Sequence, residues 1–339
     1  MKAIVYSETG PSSVLQLVDR PPQEPGEGEV RVRVVVSAVN PTDWKARSGP
    51  AALAFAEVVP NQDGAGVVDA VGPGVTGLTV GDRVWILLAA YQRTSGTAQE
   101  LTVLPVDRVV RLPDGVSFDI GAGLGVPAIT AHRALTVSEL GPSRLSPGAL
   151  AGKTVLVAGG AGAVGHAAIQ LARWAGATVI TTISSDEKAA LATAAGAHHT
   201  VNYRESDAAE EIRELAPDGV DIVAEVSPAR NADLNLAVAA NHATIGVYAN
   251  DGGDTMTLDI RRHFALNVRY QFSLLYTLDA AAMTAGTEDI TAALVDGVLP
   301  VGEAAGLPLH RFPLEQTAQA HDAVEAAVVG KVLIDVQPA

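Results

Sequence analysis

Apolar and polar positions alternate in the first third of the chain, and the period then changes. Glu29 to Val39 opens with V-R-V-R-V, which places valines on one face of a strand and arginines on the other. Met1 to Tyr6, Gly64 to Val71 and Asp82 to Leu88 read as further strands. They are set apart by Pro21-Pro22-Gln23-Glu24-Pro25-Gly26, Gly72-Pro73-Gly74 and Gly77, all turn formers. Several short strands between turn signals predict a barrel-like β domain over residues 1–126. Helical spacing begins at Val126 and runs to Leu140, with Ala131, Ala134 and Leu135 on one side. A Pro/Gly/Ser-rich loop, Gly141 to Gly152, follows.

From Thr154 the pattern alternates strand and helix. T-V-L-V-A-G-G, Thr154 to Gly160, is a β-branched and apolar run of the kind buried on both faces. A helix, His166 to Ala175, is stopped by Gly176, and the strand Ala177 to Ile183 comes next. Helices at Asp186–Ala195, Asp207–Leu215 and Ala229–Ala240 interleave with strands at His199–Tyr203, Val220–Val226 and Ala243–Tyr248. A strand at Val268–Tyr276 and a helix at Ala280–Val298 complete the run. The alternation predicts an α/β fold with a doubly wound parallel sheet, a Rossmann domain over 127–298. Leu307–Phe312, Leu314–Val328 and Lys331–Val336 read as strand, helix, strand. They return to the first domain, which then comprises 1–126 and 299–339.

The turn after the first Rossmann strand carries the chemistry. Gly160-Ala161-Gly162-Ala163-Val164-Gly165 is a GxGxxG between a strand and a helix. Its glycines allow a tight turn, close approach of a pyrophosphate, and close packing of helix on sheet. The helix N-terminus then faces the phosphates. An NAD site usually ends the second strand in Asp or Glu. Here that strand ends in Ser184-Ser185, with Lys188 one turn on. Hydroxyls and an ammonium suit a 2′-phosphate, so the expected cofactor is NADP(H). Asp186 and Glu187 fall in the first turn of the next helix, where acids favour the dipole.

Composition narrows the classes. The formal charge is −15, and Arg261-Arg262 is the only adjacent basic pair. Nucleic acid and anionic membranes both call for clustered Lys and Arg, so neither is expected as a partner. There is no cysteine, so disulfides, thiol nucleophiles and Cys-ligated zinc are excluded. The eight histidines show no HExxH spacing, and no metal site is expected. No run is long and apolar enough to span a membrane, and M-K-A-I-V-Y reads as a strand; the expected location is cytoplasmic.

Further motifs carry a family resemblance: A-V-N-P-T-D-W-K-A-R-S-G (Ala38–Gly49), D-G-A-G-V-V-D-A-V-G-P-G-V (Asp63–Val75), V-G-D-R-V (Val80–Val84), L-G-V-P-A-I-T-A (Leu124–Ala131) and the closing G-K-V-L-I-D-V. With the glycine turn, they make the chain resemble the zinc-independent quinone oxidoreductase, zeta-crystallin-like branch of the medium-chain dehydrogenases/reductases. The resemblance implies a split, GroES-like catalytic domain, an inserted NADP(H) domain and a homodimer. By position it implies Asn40 and Thr130 at the nicotinamide end, and Gly160, Gly162, Ala163, Val164 and Gly165 along the pyrophosphate. Ser184, Ser185, Lys188 and Tyr203 would surround the 2′-phosphate and adenosine. Ser227, Tyr248 and Asn250 would line the ribose and nicotinamide edge. Phe272, Ser273 and Leu274 would touch the carboxamide, and Lys331 the tail side of the cofactor. Tyr91 is a candidate pocket wall or proton donor. The G-x-Y-A-E-Y segment common in the family is Gly96-Thr97-Ala98-Gln99-Glu100-Leu101 here, without either tyrosine.

The expected reaction is hydride transfer to a quinone. The alternative is an enone or enoyl acceptor. Either acceptor delocalises the incoming charge onto its own oxygen, whereas a simple ketone needs a Lewis acid or strong proton donor. Some relatives serve as RNA-binding or structural proteins; the −15 charge counts against RNA here.

Overall fold

The computed structural model describes residues 1–338. The first of its two units comprises residues 1–126 and the chain from Pro308 onward. It opens with β1 (Lys2–Val5), β2 (Gln16–Asp19), β3 (Glu29–Val39), α1 (Pro41–Ser48), β4 (Asp63–Val71), β5 (Arg83–Ile86), β6 (Leu101–Pro105), β7 (Val109–Arg111) and α2 (Phe118–Ala122). The division falls in the first turn of α3 (Gly125–Thr136). The second unit, 127–307, carries β8 (Thr154–Ala158), α4 (Ala163–Trp174), β9 (Thr178–Ile183), α5 (Asp186–Ala194), β10 (His199–Asn202) and α6 (Ala208–Leu215). It continues with β11 (Val220–Glu225), α7 (Pro228–Val238), β12 (Ala239–Val247), α8 (Ile260–Leu266), β13 (Arg269–Phe272) and α9 (Ala280–Val295). The tail adds β14 (Leu309–Pro313), α10 (Thr317–Glu325) and β15 (Lys331–Asp335) to the first unit.

In the first unit β3 organises the sheet. It pairs antiparallel with β4, β6 and β15. The V-R-V-R-V alternation is realised as a two-faced strand. Val30, Val32 and Val34 are fully buried against Val68, Val84, Ile86 and Leu104, each side chain contributing about 1.5–3 kcal/mol relative to exposure. On the other face Arg31 pairs with Asp69 and Glu24. From Val34 to Val39 every residue is buried. This inner half of β3 ends at Asn40, and the tail strand β15 lies beside it, Val332 opposite Val39.

The second unit holds a six-stranded parallel sheet in the order β10-β9-β8-β11-β12-β13. Counted from β8, that order is 3-2-1-4-5-6, the Rossmann arrangement. It reverses between β8 and β11, and a ligand crevice opens at such a switch point. The buried run Val155-Leu156-Val157 is the centre of this sheet.

Some expected boundaries shift. Residues 299–307, expected with the first domain, pack in the second unit. His166 Nε2 lies 2.8 Å from the Ala305 carbonyl and Gln170 Nε2 donates to Pro300 O at 3.3 Å. The strand expected at Val268–Tyr276 stops at Phe272, where its ladder with β12 ends, and Leu275–Thr277 turns as a 3-10 helix. The helix expected to reach Leu140 ends at Thr136. Among the described residues no helix is long and apolar enough to cross a membrane.

Candidate functional site

The glycine turn in the second unit is built from steric necessity. Gly159 has φ 72°, a left-handed conformation that glycine adopts without penalty. A Cβ on Gly160 would lie 2.2 Å from Thr181 Oγ1, and one on Gly165 2.4 Å from the Gly159 carbonyl. These two positions therefore let strand, turn and helix close on each other. Gly162 is the N-cap of α4 and brings no side-chain acceptor. The first-turn N–H groups, beside the half-buried Ala163 and Val164, are left for an anionic ligand.

Next to this turn, at the C-terminal ends of β8, β9 and β11, lies a cavity of about 720 Å³. Gly159, Thr182, Tyr203 and Ser227 line it, and so do two arginines, Arg230 and Arg262. Neither guanidinium has a hydrogen bond or ion pair among the described residues. The sequence reading passed over both. The signals were the unique Arg261-Arg262 pair and a basic residue in the first turn after β11. The stem of Arg230 packs on Gly252, where a Cβ would come within 2.7 Å of its Cγ. The start of α7 is pinned by the buried carboxylate of Glu225. It accepts from Ser227 N (2.5 Å), Asn231 Nδ2 (2.9 Å) and Asn235 Nδ2 (2.6 Å). Asp207 and Asp233 also line the cavity. Asp207 is engaged as the cap of α6.

The serines expected at the phosphate have local partners. Ser185 caps α5, its Oγ accepting from Lys188 N at 3.4 Å, and Ser184 Oγ accepts from Lys188 Nζ at 3.1 Å. No carboxylate ends β9; Asp186 and Glu187 are exposed in the first turn of α5. Tyr203 is half exposed. Ser227 Oγ donates to Asp251 O, and Asn250 Nδ2 to Asp254 Oδ1 at 2.6 Å. Burial and the nearby Glu225 raise the Tyr248 phenol, which stays protonated. Thr130 is half buried within α3, its hydroxyl without a hydrogen-bond partner among the described residues. Just past β13, Ser273 N donates to Val247 O, and Phe272 and Leu274 are exposed. His166 is a packing residue: burial pulls its imidazole down to about 4.

In the first unit the structure gathers Asn40, Asp43, Asp63 and Lys331, all buried. Asn40 is the N-cap of α1, and Asp43 at N3 closes a capping box with it, its Oδ2 accepting from Asn40 N at 2.7 Å. The Asn40 side chain is turned inward. Its Oδ1 accepts from Lys331 Nζ at 2.5 Å and its Nδ2 donates to Asp63 Oδ2 at 2.7 Å. Lys331 Nζ also reaches Val39 O at 3.3 Å. Its side chain is thus bonded to Asn40 inside the fold. Burial raises the Asp63 carboxyl to about 6, against the pull of Lys331, and raises that of Asp43. Burial lowers Lys331, against the pull of both acids. Tyr91 lies in this unit, its hydroxyl 3.3 Å from Gln92 Nε2. Among the described residues no group of three or more His, Asp or Glu is placed to hold a metal.

Comparison with known proteins agrees with this architecture. Residues 26–114 match the family model of the alcohol dehydrogenase GroES-like domain, and 163–291 that of zinc-binding dehydrogenases. The quinone oxidoreductase of Rattus norvegicus is 30% identical over 98% of this chain and 97% of its own. A 2-haloacrylate reductase from Burkholderia is 34% identical over 66% of this chain and 65% of its own. A mycobacterial protein solved in complex with NADPH is 32% identical, with a TM-score of 0.79 over 98% of this chain and 99% of that one.

Proposed function

Because this chain belongs to the zinc-independent quinone oxidoreductase branch of the medium-chain dehydrogenases/reductases, we propose that it is an NADPH-dependent oxidoreductase whose acceptor is a quinone. An α,β-unsaturated carbonyl is the second reading, favoured by the likeness to a 2-haloacrylate reductase. The observation that carries the cofactor assignment is the cavity beside the glycine turn, with two unpaired arginines and no carboxylate at the end of β9.

The residues fit a phosphorylated dinucleotide. Gly160 and Gly165 leave the space that a Cβ would fill, and the first turn of α4 offers N–H groups to a pyrophosphate. Arg230, Arg262 and Lys188 supply the positive charge a 2′-phosphate needs, and charge-assisted hydrogen bonds are the strong ones. The bound nicotinamide supplies the hydride. Asn40 orients the reacting end through its side-chain amide, and orientation is the protein's main contribution to such a reaction. The acceptor takes the hydride and a proton from water, a quinone ending as a hydroquinone and an enone as the saturated carbonyl.

The test is turnover of a panel of quinones and enones with NADPH or NADH. NADPH oxidation with either acceptor class is expected, with little oxidation of simple alcohols by NADP⁺. Alcohol oxidation together with silence toward all quinones and enones would overturn the reading. The same preparation should sediment as a homodimer. Ile260, Phe264, Phe272 and Leu274 are exposed around the edge strand β13, and an uncovered apolar edge of this kind calls for a partner. A monomer at assay concentration would remove that part.

A further inference from the structure

Asn40 sits at the N-cap of α1, and its side-chain amide is bonded inside the fold as well. Its backbone is extended (φ −116°, ψ 160°) and Pro41 occupies N1, both normal for an N-cap. Asp43, at N3, accepts from the Asn40 N–H, which is the reciprocal half of a capping box. The amide is held at both ends, by Lys331 Nζ at 2.5 Å and Asp63 Oδ2 at 2.7 Å. An ammonium only donates and an ionised carboxylate only accepts. The pair therefore fixes which end of the amide is oxygen and which is nitrogen. One N–H of the amide remains, pointing in a direction the clamp determines.

The clamp is itself boxed in. Val126 N donates to both oxygens of Asp63, at 3.0 and 2.9 Å. A Cβ on Gly125 would lie 2.1 Å from Asp63 Oδ1, so the approach of this backbone requires glycine. Gln62 N donates to Asp43 Oδ1 at 3.1 Å. Two carboxyls and one ammonium are thus buried around a single amide. A helix start needs none of the outer two, and buried ionic groups are often replaceable by apolar ones at no loss of stability. Their arrangement is explained by what it does to Asn40.

We propose that Asp63 and Lys331 are positioning residues for hydride transfer, which fix the rotamer and the orientation of the Asn40 amide. This rests on the reading above that Asn40 serves the reacting end of NADPH. Both act through Asn40, to which each is hydrogen-bonded.

Asp63→Asn is the decisive variant. It keeps the volume and leaves one carboxylate, Asp43, facing one ammonium, so the charge balance of the cluster improves and folding is retained. Its new amide can present an N–H to the Asn40 nitrogen, and the clamp is lost. With NADPH and the acceptor found for the wild type, kcat should fall about 10- to 100-fold. The dissociation constant for NADPH should stay within threefold, and the isotope effect with NADPH deuterated at C4 should rise as hydride transfer becomes limiting. Lys331→Gln retains a donor for Asn40 Oδ1 and should keep kcat within about fivefold, whereas Lys331→Met should repeat the Asp63→Asn signature. A folded Asp63→Asn enzyme with wild-type kcat overturns the proposal. So does a loss accounted for by weaker NADPH binding, which is what a merely structural cluster would produce. Should Lys331→Met fail to fold, the Asp63→Asn result stands alone and decides. A wild type that neither binds NADPH nor reduces any quinone or enone sinks the proposed function itself, and is distinguishable from these outcomes.

Discussion

Two regions of this molecule carry cations that face polar chemistry, and they treat them in opposite ways. Arg230 and Arg262 stand exposed at the cavity of the second unit, without partners among the described residues. Lys331 in the first unit is 3% exposed and bonded to Asn40 and Val39, in the field of two buried carboxyls. An exposed guanidinium keeps most of its hydration, so leaving it unpaired costs the free protein little. Its hydrogen-bonding capacity stays available to a ligand. A buried ammonium must be paired to be tolerated at all, and its bonds are spent inside the fold. The contrast separates binding from positioning. The cations at the cavity rim sit unpaired and open to a ligand, whereas the cation that holds Asn40 is buried and bonded inside the fold.

The sharpest way to break the comparison is to remove each kind of cation and measure stability. Lys331→Met leaves two buried carboxyls without their counter-ion and should lower unfolding free energy by about 3–5 kcal/mol. Arg262→Met should change it by no more than about 0.5 kcal/mol. Equal effects in chemical denaturation would erase the distinction. Binding should show the reverse ranking. Arg230→Ala or Arg262→Ala removes a charge-assisted contact of about 1.5–3 kcal/mol, roughly 10- to 150-fold in NADPH affinity. Binding of NADH, which lacks the 2′-phosphate, should hardly change. Titrations in which both cofactors weaken together would show that the arginines do not read the 2′-phosphate.

The smallest effect concerns acid. His321, in the first unit, is buried with Nε2 2.9 Å from Asn61 Oδ1; burial, aided by Arg47, pulls its imidazole from 6.5 to about 3. A base with a depressed folded value binds protons more readily when unfolded. Its contribution to stability is therefore complete above 6.5 and is lost as pH falls toward 3. At about pH 5 that loss amounts to roughly 2 kcal/mol. Asp63 works in the opposite sense: raised to about 6, it favours the folded state at low pH and loses that contribution as pH rises through 6. The difference between wild type and His321→Gln isolates the histidine. The variant should lose less stability between pH 7 and 5. Parallel pH profiles would show that His321 does not titrate as its burial requires.

Much was legible from the chain alone because it is local. The alternation at Val30–Val34 set the faces of β3, since side chains in a strand point to opposite sides in turn. The glycine turn was readable because strand, turn and helix are contiguous and backbone sterics act over neighbouring residues. The missing acid after β9 was readable for the same reason. The absence of cysteine was a matter of composition. Distance along the chain hid the rest. Lys331 had to reach Asn40 across 291 positions, a meeting made by the pairing of β15 with β3. Arg230 and Arg262 belong to separate helices, and their approach to one cavity follows from how α7 and α8 are placed around the sheet. Even Asn40, which the resemblance placed at the nicotinamide end, could not disclose its inner partners, Asp63 and Lys331. Which way a side-chain amide turns depends on which partners wait inside, and only the assembled tertiary structure supplies them.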